Sequence, residues 1–256
     1  MDFERISPKT FVGQLLRLPL RLIPPDMKMP ILRGKIRGKR WTVKAGRHGC
    51  WLGTYEYEKQ IIFEKMVKPG DTVFDIGAQA GFYTLLASVL VGPTGRVFAF
   101  EPLPRNVFYL KEHLALNSIK NVTVIEAAIS NSSGVAFFKD SASGYQGFLS
   151  SEGEVQVNTV SLDELIASGQ IPLPDCIKMD IEGGEARALA GAKSLLDRAH
   201  PKIFLAAHGR PMYKQCAELL QACGYQIEVI DWDGAGEVPN NPDVLASYKG
   251  APSQSD

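Results

Sequence analysis

Thr72-Val-Phe-Asp-Ile-Gly77-Ala-Gln-Ala-Gly81 is the stretch on which the fold turns. A short apolar run ends in glycine, and Phe82 to Val91 then reads as a helix that stops at Gly92-Pro93. The pattern repeats outward. Arg96–Glu101 is a second strand-like run. Pro104 suits the first turn of a helix, and Val107, Leu110 and Leu114 recur at helical spacing as far as Asn117. Further runs follow at Val122–Glu126, Cys176–Ile181, Lys202–Ala207, Tyr225–Ile230 and Val244–Tyr248. Helices are expected from Glu185 to about Arg198 and from Pro211 to Cys223. Residues 131–160 are rich in Ser and Gly and read as a hairpin or loop, followed by a short helix capped by Ser161.

Strand–helix alternation predicts an α/β fold with a doubly wound, mostly parallel sheet. Right-handed crossovers bring every strand's C-terminal end to one edge, and ligands bind there. Residues 1–66 lack the alternation and are expected to form an N-terminal extension or cap. Residues 67–250 would form a Rossmann-like domain and 251–256 a tail.

The 256 residues are 45% hydrophobic, enough for one large core. The most apolar stretch, Phe11 to Ile23, is broken by Arg17, Pro19 and Arg21 and has no small-residue cleavage pattern. Neither a membrane span nor a signal peptide is expected. Cys50, Cys176, Cys216 and Cys223 form no C-x-x-C pair, which fits reduced thiols in a cytoplasmic protein. The zero net charge hides an asymmetry. Residues 1–50 carry 12 Lys and Arg against 3 Asp and Glu, and residues 51–256 carry 16 against 25. A basic arm of this kind can meet an anionic surface, or serve only to keep a cap soluble.

Asp75-Ile-Gly77-Ala-Gln-Ala-Gly81 is not a pyrophosphate fingerprint, because its glycines have the wrong spacing. Its leading carboxylate would repel a diphosphate and attract the ammonium of an amino-acid ligand. Glu101 ends the second run, 24 residues after Gly77, where a carboxylate can accept both hydroxyls of a ribose. The combination favours an adenosyl amino acid over a dinucleotide.

The blocks DIGAQAGFYT (75–84), EPLPRN (101–106), SLDEL (161–165) and KMDIEGGEARALAGA (178–192), with GCWLGTYEYE (49–58) upstream, resemble the FkbM family of class I methyltransferases. Gln79 stands where that family usually has Asn. Ala206 and Ala207 stand where it often has an acid shortly before the histidine of the fifth strand. The resemblance implies a seven-stranded sheet whose last strand is antiparallel. It also implies S-adenosyl-L-methionine as cofactor and O-methylation as the commonest reaction. Asp75, Gly77 and Gly81 would then line the methionine and ribose part, Glu101 would hold the ribose diol, and the backbone near Ala128 would meet the adenine edge.

The candidates for handling the acceptor's proton are Asp180 and Glu182, which end the fourth strand, and His208, which follows the fifth. Histidine titrates near neutrality and suits a base. Glu185 reads as a first-turn helix residue and Lys178 as a strand residue with a local partner. His48, His113 and His200 read as structural. Asp180, Glu182 and His208 could converge on a hard cation, but their spacing does not specify one, and no metal is expected. Glu56 would either fold over the cofactor site or start a helix, and Trp41 and Trp51 would either line an acceptor pocket or fill the cap's core.

The expected acceptor is a hydroxyl of a small molecule or glycan, with no nucleic acid. One competing reading is a nucleic-acid or protein methyltransferase. Another is a non-catalytic adenosyl-binding module whose Leu15–Arg40 stretch lies on an anionic membrane.

Overall fold

The structure is a computed structural model and describes residues 10, 19–140, 147–150 and 155–250. The N-terminal part contains a small hairpin, β1 (Lys28–Pro30) with β2 (Arg40–Thr42), and helices α1 (His48–Leu52) and α2 (Tyr57–Met66). Then β3 (Thr72–Ile76), α3 (Phe82–Val91), β4 (Arg96–Phe100), α4 (Pro104–Leu116) and β5 (Val122–Ile125) alternate. A second sheet holds β6 (Ala128–Ile129), β7 (Gly134–Asp140), β8 (Gly147–Ser150) and β9 (Val155–Val160). The chain closes with α5 (Leu162–Ala167), β10 (Cys176–Met179), α6 (Glu185–Ala190), α7 (Lys193–Ala199), β11 (Lys202–Ala206), α8 (Arg210–Ala222), β12 (Tyr225–Val229) and β13 (Asp243–Tyr248).

The main sheet has seven strands in the order β12-β13-β11-β10-β3-β4-β5. β13 runs antiparallel to both of its neighbours, and the other pairings are parallel. The order reverses between β3 and β10, so their C-terminal ends open a crevice at the switch point. Central strands covered on both faces have no solvent side, which is why Val73, Phe74, Asp75 and Ile76 are all buried in succession. One face packs α3 and α4 with the N-terminal segment, and the other packs α5 to α8.

The expected helix from Glu185 to about Arg198 is two helices. The break falls at Gly191, where a Cβ would lie 2.2 Å from the carbonyl oxygen of Ser130. That close approach of two backbones leaves no room for a continuous helix with side chains. The expected hairpin between 131 and 160 is the antiparallel pair β7 and β8, with β9 antiparallel on the other side of β7. Residues 141–146 and 151–154 of that region lie outside the described residues.

Residues 20–66 share one hydrophobic cluster with the sheet. Trp41 is 1% exposed and stacks on His113 of α4 with ring centroids 3.9 Å apart. The backbone N–H of Thr42 donates to His113 Nε2 at 3.0 Å, and His113 Nδ1 meets the carbonyl of Ala80 at 2.7 Å. The ring is therefore neutral, with its proton on Nδ1, and burial pulls its pKa down to about 4. Basic residues of this segment are partly matched, with Lys28 paired to Glu112 and Lys44 to Asp26. Residues 15–18 of the stretch considered for membrane contact lie outside the described residues. Among the described residues, no helix is long and apolar enough to cross a membrane.

Candidate active site

A cavity of about 390 Å³ opens at the C-terminal edge of the sheet, between β3, β10 and β11. Its floor is the turn from Gly77 to Ala80, and one wall carries Asp180, Glu182 and His208. The N-terminal segment supplies the opposite wall through Trp41, Arg47, Tyr55 and Glu56. The size suits a small organic ligand.

Gly77 has φ +79°, and a Cβ on it would lie 2.0 Å from the carbonyl oxygen of Asp180. Glycine is therefore required where the chain leaving β3 passes close to the chain leaving β10. Gly81 has φ +93° and caps α3, where a Cβ would press on Leu110; it is not among the lining residues.

Asp75, expected beside the cofactor, is fully enclosed in β3 and is not among the residues that line the cavity. Its carboxylate accepts a hydrogen bond from Thr84 Oγ1 at 2.6 Å and lies 3.6 Å from Lys178 Nζ. Lys178 is also 3.8 Å from Asp180, and its ammonium sits over the ring of Tyr83. Burial opposes the charge on Lys178, but Asp75 and Asp180 outweigh it and hold the lysine protonated. Asp75 thus faces an internal cation, and the carboxylate that reaches the cavity near it is Asp180.

Glu101 is 3% exposed and lies just past β4. It accepts from the backbone N–H groups of Gln79 at 2.8 Å and Leu103 at 3.0 Å, and from Asn106 Nδ2 at 3.2 Å. Burial raises its pKa, and these three donors pull the other way. Asn106 lines the cavity, whereas Glu101 sits behind it. Ala128 was expected to meet the adenine edge through its backbone. It is buried in β6, paired with Thr159 of the second sheet, and does not line this cavity.

Glu56 does line it. It precedes α2 in the left-handed conformation, φ +48°, so both expectations for it meet in one residue. Its carboxylate accepts from Lys59 at 3.1 Å, and Lys59 also pairs with Asp243 at 2.9 Å. Trp41 is likewise both core and wall.

His208 joins three carboxylates. Its Nδ1 lies 2.7 Å from Glu185 Oε1, and its Nε2 lies 3.2 Å from Glu182 and 3.6 Å from Asp180. Burial alone would lower its pKa, but the bond to Glu185 and the charges of Asp180 and Glu182 raise it to about 9. Sequence reasoning took Glu185 as a structural first-turn residue; it stands in the first turn of α6 and is also fully buried. The missing acid beside Ala206 and Ala207 is thus supplied from α6. No local signal could show this, because the partners are 23 residues apart and on different elements. Tyr83, Tyr55, Lys59, Asp243 and Asn106 were also missed as lining residues.

Trp41 Nε1, an enclosed atom of a residue that lines the cavity, has no hydrogen-bond partner among the described residues. Buried polar groups are ordinarily paired, so it is available to a polar ligand. The acidic wall suits a ligand bearing an ammonium and a sulfonium. The residues present therefore fit S-adenosylmethionine.

Strand order, the glycine turn and the edge cavity together define a class I methyltransferase fold. Solved structures agree: a precorrin-6y C5,15-methyltransferase from Geobacter metallireducens has a TM-score of 0.51 at 18% identity, covering 75% of this chain and 89% of that one. A methyltransferase FkbM from Methylobacillus flagellatus has a TM-score of 0.50 at 18% identity, covering 79% of this chain and 56% of that one. Residues 75–227 match the methyltransferase FkbM domain, and the chain belongs to that family, whose members use S-adenosylmethionine.

Among curated relatives, the hexuronic acid methyltransferase AglP of Haloferax volcanii is 29% identical over 161 residues, 62% of this chain and 65% of that protein. The 31-O-demethyl-FK506 methyltransferase FkbM of Streptomyces tacrolimicus is 28% identical over 171 residues, 54% of this chain and 64% of that protein. The match thus spans just under two thirds of the length of these relatives.

Proposed function

We propose that the chain is an S-adenosylmethionine-dependent O-methyltransferase acting on a hydroxyl oxygen of a small molecule or glycan. The observation that carries this reading is the Asp180–Glu182–His208 cluster on the wall of a cavity whose floor is the Gly77 turn. Its relatives support it, among them a 2-O-methyltransferase, NoeI, of Sinorhizobium fredii, 26% identical over 161 residues.

The cofactor supplies a methyl group already activated by its sulfonium. Glu56 would receive its ammonium. Gly77 lets the backbone approach it. Asn106 lines the path toward Glu101, and Glu101 would meet the ribose diol once the Asn106 side chain yields. Gly81 acts by holding the start of α3, and Asp75 by holding Lys178. The backbone around Ala128 would reach the adenine only if the cavity extends past its described wall. The described part of the N-terminal segment, residues 19–66, would act as a cap over the site.

Asp180, Glu182 and His208 act as one unit on the acceptor. They hold its hydroxyl in line with the methyl group and draw off its proton, while the cap excludes water. Positioning of this kind is worth roughly 7–11 kcal/mol, and proton removal a further hundred- to ten-thousand-fold or so. Calorimetric titration with S-adenosylhomocysteine tests the reading. Saturable binding is expected, and no heat at high micromolar ligand would end it.

A second reading, methylation of nucleic acid or protein, draws on the basic first fifty residues. Steep salt dependence of RNA or DNA binding would favour it.

A further inference from the structure

His208 is fixed from behind and open in front. Glu185, fully enclosed, accepts at 2.7 Å from Nδ1, so that nitrogen carries the hydrogen of the bond. Nε2 then faces Oε2 of Glu182 at 3.2 Å and Oδ1 of Asp180 at 3.6 Å. Nε2 and the two carboxylate oxygens face one another across a short gap, an arrangement that positive charge favours, whether a proton on Nε2 or a cation in its place.

We propose that Asp180, Glu182 and His208 form a binding site for one divalent cation of the Mg²⁺ and Mn²⁺ class. Their ligand atoms all lie within 4.8 Å of one another. Adjacent corners of an octahedron with bonds of about 2.1 Å are about 3 Å apart. The separations of 3.2 and 3.6 Å from Nε2 are close to that spacing, and the three ligand atoms would draw together around the ion from within 4.8 Å.

The surroundings point the same way. A histidine that binds metal ordinarily donates its other N–H to a carboxylate, which sets the tautomer and orients the ring. Glu185 occupies that position, and its second oxygen, buried, has no hydrogen-bond partner. Two carboxylates with one imidazole and no thiolate suit a hard or intermediate cation. The three side chains are between 15% and 26% exposed toward the cavity, which leaves coordination positions open to a ligand's oxygens.

The site itself needs no methyl transfer to exist. Only its purpose rests on the proposed function: the cation would orient two oxygens of the acceptor and ease loss of the proton, with Nε2 of His208 engaged as a ligand. An acceptor with neighbouring oxygens, such as a vicinal diol or a hydroxy acid, fits such a site better than an isolated hydroxyl.

The test uses the full chain and Mn²⁺ alone, followed by electron paramagnetic resonance of the free ion and by calorimetry. One saturable equivalent is expected. Glu182→Gln and His208→Gln should each weaken it by at least about tenfold, and Glu185→Gln by about 10–100-fold through the ring orientation. Thermal melts establish that each variant is folded, and Glu182→Gln, being the most exposed of the carboxylates tested, keeps the experiment decisive if Glu185→Gln fails to fold. No saturable Mn²⁺ binding by the wild type overturns the proposal, as does binding undiminished in both Glu182→Gln and His208→Gln. S-adenosylhomocysteine binding is measured on the same samples. Nucleoside binding without Mn²⁺ binding removes the cation site and leaves the methyltransferase reading. Mn²⁺ binding without nucleoside binding does the reverse.

Discussion

Lys178 lies 3.6 Å from Asp75 and 3.8 Å from Asp180, so one buried ammonium joins the acid inside β3 to the acid at the cavity wall. A buried pair loses much when one member is removed, because the other is left charged without a partner. Lys178→Met should destabilise the protein by about 3–5 kcal/mol, read by urea unfolding. The double variant Lys178→Met, Asp75→Asn should recover part of that loss. A double variant no more stable than the single one would show that Asp75 does not depend on Lys178.

Gly77 and Gly81 differ in what a side chain would strike. At Gly77 the obstacle is backbone, the Asp180 carbonyl at 2.0 Å; at Gly81 it is the tip of the Leu110 side chain at 2.5 Å. Both have positive φ, so both alanine variants are strained. Gly77→Ala should nevertheless lose S-adenosylhomocysteine binding the more severely, because relief requires β3 and β10 to separate at the site. Calorimetry on the two variants checks this, and equal loss would contradict it.

His208→Ala should keep nucleoside affinity within a few-fold while turnover falls by about 10²–10⁴. The measurement is binding of S-adenosylhomocysteine beside methyl transfer to an identified acceptor. Unchanged turnover would remove His208 from the unit that handles the acceptor.

His113 links stability to pH. Its folded pKa is about 4 against an ordinary value near 6.5, because burial disfavours the charged ring more than the bond to the Ala80 carbonyl and the charge of Glu112 favour it. Between those values the unfolded chain binds the proton more readily. The stabilisation is therefore complete above about pH 6.5 and is lost as the pH falls toward 4, by about 3 kcal/mol. Chemical denaturation at pH 7 and pH 4.5 should show the stability gap between wild type and His113→Asn narrowing at the lower pH. A gap independent of pH would rule this linkage out.

Much of the fold was legible from residues 72–248 alone. The seven runs of the main sheet, the helices over 82–91 and 104–116 and the Ser161-capped turn follow from apolar periodicity, glycine stops and caps, which act over a few residues. The break at Gly191 was not legible, because its cause is the backbone of Ser130 on another element. Within the site, Gly77, Glu56, Asp180, Glu182 and His208 were identifiable as residues that end strands or enter turns at the binding edge. The burial of Asp75 and the depth of Glu185 were not.

By itself, then, the sequence determined that strands and helices alternate, that one sheet edge collects the turn glycines and acids, and which chemical groups stand there. Tertiary structure alone decided which acid serves which cation. Asp75 was taken by Lys178 and His208 by Glu185, while Asp180 and Glu182 were left at the cavity. The physical reason is range: propensity and periodicity are written in neighbouring residues, whereas a carboxylate's role depends on burial and on charges brought to within 4 Å by elements far apart in the chain.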